Sequence, residues 1–369
     1  MRIILLGLLT CASMAAAVDY ALQPAVPVAT PASEQLLDLA RAGQRLVAIG
    51  ERGLIVYSDD HGQHWQQARV PVSETLTALS FPTAEHGWAV GHGGVILHSG
   101  DGGETWQTQF DGNDANRQRL DFVTDRVMTL RRSLEQVEAD ADPDLAYQLE
   151  EAEYAVEDAE LALETGPADP FLDVWFADAQ HGWAVGAYGM IYRTDDGGLQ
   201  WRIAAGSIEN LEGYHYYALD AADQQTLYLS GEAGLLYRSD DAGQHWRRLG
   251  LNYDGSLFGV IALDPQRVVV FGLRGNIFYS DDRGESWQEV ADEKSPGLSY
   301  YGGSLLPGSR VVLVGAGGVM ASSADGFNYR HSVHSDRKTF SSVLTEGDDL
   351  LLVGMGGLIR VAASGNSGP

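Results

Sequence analysis

The sequence predicts an all-β fold, a seven-bladed β-propeller with an inserted antiparallel α-helical hairpin. Three observations predict it. A phrase of Gly-x-x-Gly, an apolar triplet, Ser or Thr, an acidic turn and Trp recurs at a nearly constant interval. Glycine is abundant, 44 of 369 residues, without the three-residue period of collagen. One interval is stretched by a segment whose apolar spacing is helical rather than strand-like.

The phrase first runs from Gly50 to Trp65 as G-E-R-G-L-I-V-Y-S-D-D-H-G-Q-H-W. It returns from Gly91, Gly186, Gly231 and Gly272, ending on Trp106, Trp201, Trp246 and Trp287. A sixth copy, from Gly315, reads as degraded, with Ala324 in place of the key Asp and Tyr329 in place of Trp; a seventh, from Gly354, stops before its turn motif. The steps are 41, 95, 45, 41, 43 and 39 residues. Units of this length with several short apolar runs suit four-stranded blades, so seven phrases imply seven blades. In the second unit the strands are expected at 76–81, 87–91, 95–99 and 105–110. Glycines between the second and third strands supply positive φ for the turn. The Asp box lies on the hairpin between the third and fourth strands, where hydroxyl and carboxylate cap backbone N–H groups and the Trp covers the turn. Asp60 with Trp65, Asp101 with Trp106, Asp196 with Trp201, Asp241 with Trp246 and Asp282 with Trp287 are therefore assigned a structural role. A catalytic acid is not needed five times around a ring, and no copy has the ligand spacing of a calcium loop.

Before the first blade, a basic start, an apolar stretch and Ala15-Ala16-Ala17 read as a signal peptide over residues 1–17, cleaved near Ala17. The apolar part is too short for a span of about 20 residues. The single cysteine, Cys11, falls inside it, so the mature chain has no disulfide and no Cys-based zinc site. The mature propeller is expected over 18–369. Its last unit lacks an outer strand, and residues 18–30 are expected to close the ring there, with Pro24, Pro27 and Pro31 suited to an outermost position.

The long interval is filled by residues 113–168, between blades 2 and 3. Leu120, Val123, Val127, Leu130, Leu134 and Val137 make one seam; Leu145, Leu149, Ala152, Val156, Ala159 and Leu163 make another. Both have coiled-coil spacing, with a turn at Pro143. The connection it replaces places the hairpin on the ring face of the Gly-x-x-Gly turns.

The formal charge of −27 argues against nucleic acid and against an anionic membrane surface. Residues 113–169 hold 16 acids and 5 arginines, so a basic surface is expected opposite the hairpin. Candidate binding residues gather on the Gly-x-x-Gly face: Arg52, Tyr188, Tyr214, Tyr216, Tyr253, Arg274, Tyr300 and Tyr301, with Arg131 and Arg132 on the hairpin. Two readings of the aromatics stand open, exposure on that face or packing between blades. No catalytic residue, metal ligand or cofactor is assigned. Asp boxes also occur in sialidase-like glycoside hydrolases, the alternative reading. That chemistry needs two carboxylates across a pocket, and Asp173, Glu212 and Asp254 are the acids available to it. Sialidases also cluster several arginines and carry an F/Y-R-I-P motif, which is absent.

Two paired phrases, F-P-T-A-E-H-G-W-A-V-G at 81–91 and F-A-D-A-Q-H-G-W-A-V-G at 176–186, each precede an Asp box. In these the chain resembles the photosystem II stability/assembly factor-like propellers, over nearly all of the mature sequence except the hairpin. Such propellers assist assembly of a membrane complex through an arginine patch; here the arginines are few and the charge strongly acidic. Some non-photosynthetic relatives accompany exporters of the resistance-nodulation-division type. The resemblance therefore implies a non-catalytic periplasmic scaffold, with an integral membrane protein complex such as that exporter type as partner.

Overall fold

The computed structural model describes residues 23–136, 143–167, 169–290 and 295–362. The expected signal peptide and cleavage site fall on residues outside these. Seven antiparallel sheets follow one another along the chain, spanning 36–67, 76–110, 171–203, 216–248, 257–289, 300–333 and 340–362. These are blades 1 to 7. Each has four strands in sequence order except blade 7, which has three among the described residues. The second blade's strands are Leu76–Ser80, Gly87–Gly91, Ile96–Ser99 and Gln107–Phe110, within two residues of expectation.

Apolar clusters fill all seven interfaces between neighbouring blades. Val47, Ile49 and Tyr57 of blade 1 meet Leu76, Leu79 and Trp106 of blade 2, for example. The last cluster joins Leu351 and Val353 of blade 7 to Leu36, Leu46 and Val56 of blade 1 and so closes the ring. Side chains reinforce that seam. Arg41 of blade 1 bonds the Thr345 carbonyl and lies 2.5 Å from Glu346, whose other oxygen is 2.7 Å from His61 Nδ1. Burial pushes the Glu346 carboxyl up, but these partners hold it below its usual value.

The expected closing strand is corrected here. Residues 23–30 run along blade 1 rather than pairing with blade 7. The Ala25 N–H donates to the Val70 carbonyl (3.1 Å), and the Gln67 side chain bridges the Val26 carbonyl and the Val28 N–H. Pro24 and Pro27 lack N–H groups, so the segment is held by a side chain rather than by a ladder. Residues 18–22 lie outside the described part.

The Gly-x-x-Gly turns work differently from expectation at their first position. Gly231 has an extended backbone (φ −162°), as do its counterparts, so it is not there for positive φ. A Cβ at Gly231 would lie 2.4 Å from the carbonyl oxygen of His215, just before the blade's inner strand. The next residue, Glu232, donates its N–H to that same oxygen at 2.9 Å. The left-handed conformation falls on the third and fourth positions, Ala233 (φ 52°) and Gly234 (φ 69°) in this blade.

The Asp boxes have one geometry. Ser239 Oγ donates to Asp241 Oδ1 (2.8 Å) and accepts the Gly243 N–H, while Asp241 accepts the His245 N–H at 2.9 Å. The sixth box is intact, contrary to expectation. Asp325 takes the carboxylate role, receiving Ser323 Oγ and the Asn328 N–H at 2.8 Å. The turn is one residue shorter, and Tyr329 is buried between blades 5 and 6 where other boxes place Trp. The Asn328 backbone N–H holds Asp325 well below the usual carboxylate range.

The inserted hairpin is α1, Gly112–Leu134, and α2, Pro143–Thr165. Asp111 caps α1 by accepting the N–H groups of Asn113 and Asp114. Pro143 opens α2, where its missing N–H costs nothing. Where α1 packs on α2, Val123 and Val127 of α1 and the small Ala152 and Ala159 of α2 are buried. Of the predicted seam, Leu163 is exposed. The root lies against the blade 2 turn, with the α-carbon of Gly112 at 2.7 Å from where a Gly94 Cβ would sit. From there α1 leans on blade 3: Gln118 donates to the Trp201 carbonyl (2.7 Å) and accepts the Ile203 N–H (2.8 Å).

Replacing Gly231 by Ala should lower stability by about 1–3 kcal/mol, since the carbonyl leaves no room for a methyl group. Ala233→Gly should raise it by roughly 0.5–1 kcal/mol through relief of the left-handed conformation. Urea midpoints of the two variants check the opposite signs.

Candidate docking face

The third residue of each Gly-x-x-Gly turn stands at the apex of its blade. Arg52, Tyr188 and Arg274 occupy this position with φ of 56°, 52° and 59°. Non-glycine residues seldom adopt this conformation, and where they do the surroundings hold them. The Tyr188 N–H donates to His215 Nδ1 (3.1 Å), and its ring meets the His215 ring edge-on at 4.7 Å. The Arg274 N–H donates to Ser299 Oγ at 3.0 Å. Tyr188 remains 60% exposed, and Arg52 and Arg274 are exposed at the same turn position of blades 1 and 5.

The inner strands decide where the other aromatics point. Their first residues, Leu36, Leu76, Phe171, Tyr216, Leu257, Tyr300 and Phe340, are fully buried between blades. In each blade a β-bulge after this residue leaves the next one unpaired, and that next residue lines the central channel, as Tyr217 and Tyr301 do. Tyr216 and Tyr300, expected as binding residues, are therefore core residues; Tyr300 Oη lies 2.8 Å from His331 Nδ1. Tyr301 is exposed. Tyr214 is half-buried, its backbone N–H and carbonyl both bonded to Asn210. Tyr253 braces the blade 5 turn, with its hydroxyl donating to the Leu273 carbonyl at 3.3 Å. Three further residues complete the face. His215, Tyr217 and Phe258 link Tyr188 to Tyr301 through ring contacts of 4.7, 6.1, 5.2 and 5.5 Å. An aromatic arc thus crosses blades 3 to 6.

At the hairpin's root a cleft of about 550 Å³ opens between α1, α2 and blades 3 and 4. Phe122, Met190 and Ile208 line it, together with Arg119 and Arg126 and with Tyr188 and Leu211, both exposed. Arg131 and Arg132 lie apart from it, further along α1. Arg131 pairs across the hairpin with Glu153 at 2.6 Å, whereas Arg132 turns back to the Met128 carbonyl.

The central channel, about 480 Å³, carries Asp38, Asp173 and Asp220. Each is a clamp between blades. One oxygen of Asp173 accepts the Val174 N–H (2.8 Å) and the other the Leu219 N–H of blade 4 (2.7 Å). Asp38 reaches Leu79 of blade 2 at 2.9 Å, and Asp220 reaches Ala262 of blade 5 at 2.9 Å. The ring surrounds all three carboxyls, although the residues keep some contact with the channel. Burial pushes Asp173 up to about 8, with the nearby Asp38 and Asp220 adding to it, and pushes Asp38 and Asp220 up to about 6. Glu212 and Asp254 are exposed in the loops leading into blades 4 and 5. Among the described residues no group of three metal-ligating side chains forms, and no helix is long and apolar enough to cross a membrane.

Fold and face together define an Asp-box β-propeller with an aromatic and cationic surface at the Gly-x-x-Gly end. The sequence profile described as "Photosynthesis system II assembly factor YCF48" matches residues 25–125 and 152–358, leaving out the hairpin's tip. The chain belongs to that family. None of the curated protein sequences matches it. Among solved structures it is similar to "YCF48 bound to D1 peptide", with a TM-score of 0.60 and 18% identity over 94% of this chain and 98% of that one. YCF48 from Cyanidioschyzon merolae gives 0.59 and 15%, over 91% and 96%. A GH74 enzyme of Niastella koreensis gives 0.61 at 11% identity, over 91% of this chain but 53% of the other. At these identities the structural likeness shows the fold alone.

The channel carboxyls set a pH dependence. Their folded pKa values lie above the ordinary 3.8, so the folded state holds more protons than the unfolded one between those values. Their contribution is full below about pH 4 and is lost as pH rises through 6 and 8. Thermal melts should show the midpoint falling from pH 5 to pH 9, and falling less in Asp173→Asn.

Proposed function

We propose that this protein is a non-catalytic scaffold of the periplasm that docks an exposed segment of an integral membrane protein complex and aids its assembly or transport. The observation that carries this reading is the Gly-x-x-Gly face. There strained turns hold Tyr188 and Arg274 outward, an aromatic arc joins them, and a cleft opens where the hairpin meets the ring. Tyr and Arg are residues that dominate binding surfaces when held rigid. Family membership supports the reading, as does a relative whose structure contains a D1 peptide. The leader-like first 17 residues support export. A resistance-nodulation-division exporter is the partner type that best suits an exported, acidic, hairpin-bearing member.

A glycoside hydrolase would need a pair of free carboxyls facing one another. In this protein both oxygens of Asp38, Asp173 and Asp220 accept backbone N–H groups. That arrangement favours the scaffold.

Deleting residues 113–168 should leave the β-sheet signal in circular dichroism intact. It should abolish co-purification of the partner from detergent-solubilised membranes. Tyr188→Ala combined with Arg274→Ala in the full chain should weaken capture by at least about tenfold. Undiminished capture by both variants would contradict the proposal.

A further inference from the structure

The hairpin carries an apolar stripe that stays largely exposed. Tyr147, Tyr154 and Leu161 of α2 are 62%, 56% and 57% exposed. They follow at seven-residue intervals, which drift only about 20° per step around a straight helix, so all three lie on one side. Over about 1.5 Å per residue the stripe runs roughly 21 Å. The opposite side of α2 holds Ala152 and Ala159, buried against α1. Solitary exposed apolar residues are ordinary, but three in register on one helix face are not.

Charge frames the stripe. Around Tyr154, Glu150 and Glu157 lie along one flank and Glu151 and Asp158 along the other, at the three- and four-residue spacings that neighbour it on a helix. All four are exposed, and among the described residues none forms an ion pair. Within α2 the acid that finds a basic partner is Glu153, bound to Arg131 of α1. An apolar seam between two acidic rows is the complement of a helix with an apolar seam between two basic rows. The same charge opposes a second copy of the chain, because two such faces would bring eight carboxylates together.

We infer that the outer face of α2 receives a cationic amphipathic helix of the partner, which lies along Tyr147, Tyr154 and Leu161 as a third helix of the hairpin. The inference rests on the docking role proposed above for its biological setting. The chemistry of the face stands independently.

The test titrates the protein lacking residues 1–17 with a synthetic peptide of about 21 residues, Leu at seam positions and Lys on both flanks. A scrambled peptide of the same composition is the control. Binding should favour the patterned peptide and raise its helical signal in circular dichroism. Tyr154→Ser with Leu161→Ser should weaken it by at least about tenfold. Glu150→Lys with Glu157→Lys should do the same, and the intact protein's affinity should fall with salt. These positions are exposed, so the variants should melt like the parent. Equal binding of the scrambled peptide, unchanged binding by both variants, or self-association through α2 in sedimentation would overturn the inference. If the peptide binds as expected but no membrane protein is captured, the scaffold proposal fails instead.

Discussion

The carbonyl oxygen just before each inner strand, pressed against the first glycine of the Gly-x-x-Gly turn, is the contact on which the rest of the ring depends. It recurs in all seven blades: Cβ atoms at Gly50, Gly91, Gly186, Gly231, Gly272, Gly315 and Gly354 would stand 2.0–2.4 Å from it. The residue after each glycine then bonds that carbonyl, at 2.8 Å for His92 and 3.0 Å for Met355. The chain must turn back at once, and the following residue is driven into the left-handed region. A glycine relaxes there, as Gly93 does; an arginine or tyrosine is thrust outward and fixed. The display of Arg52, Tyr188 and Arg274 is a consequence of backbone packing at their neighbours.

Ring closure follows a second economy. Blade 7 meets blade 1 through one apolar cluster and the buried Glu346, which takes both Arg41 and His61 from across the seam. Removing one partner of such a group leaves a buried charge uncompensated, so the pair locks the two ends together. Asp38, Asp173 and Asp220 do similar work at the centre of the ring, each tying its inner strand to the next blade. At its root the hairpin is held to the ring by Gln118, which bonds Trp201 and Ile203 of blade 3, by the Tyr192 hydroxyl, which donates to the Ala115 carbonyl, and by Arg119 beside Asp169.

Much of this was legible before the structure. Constant spacing fixed the blade count, and helical spacing located both arms, because each reflects a local period that tertiary context does not alter. The aromatics were harder. Tyr216 and Tyr217 are adjacent, yet one is core and the other faces the channel; the difference is a matter of strand register, which composition does not carry. The fate of residues 23–30 depended on long-range bonds to Val70 and Gln67, which leave no mark on the segment itself. The sixth box looks degraded because Ala324 stands at the variable member of the acidic pair, whereas the turn needs only the carboxylate two residues after Ser323. The clamping role of Asp38, Asp173 and Asp220 was invisible, since the three do not occupy one repeat position.

These features make a propeller with two ends of different character. One end carries Asp boxes whose polar groups are spent on their own turns; the other carries strained apices, an aromatic arc and the root of an acidic arm. The proposed recognition therefore belongs to the second end. A photo-crosslinking amino acid placed at Tyr188, and separately at Leu199 on the Asp-box end, tests this most directly. Leu199 is 82% exposed, so both probes are accessible. Irradiated cells should yield a membrane-protein adduct from position 188 and none from position 199. Adducts of equal yield from both ends, or from position 199 alone, would contradict the account.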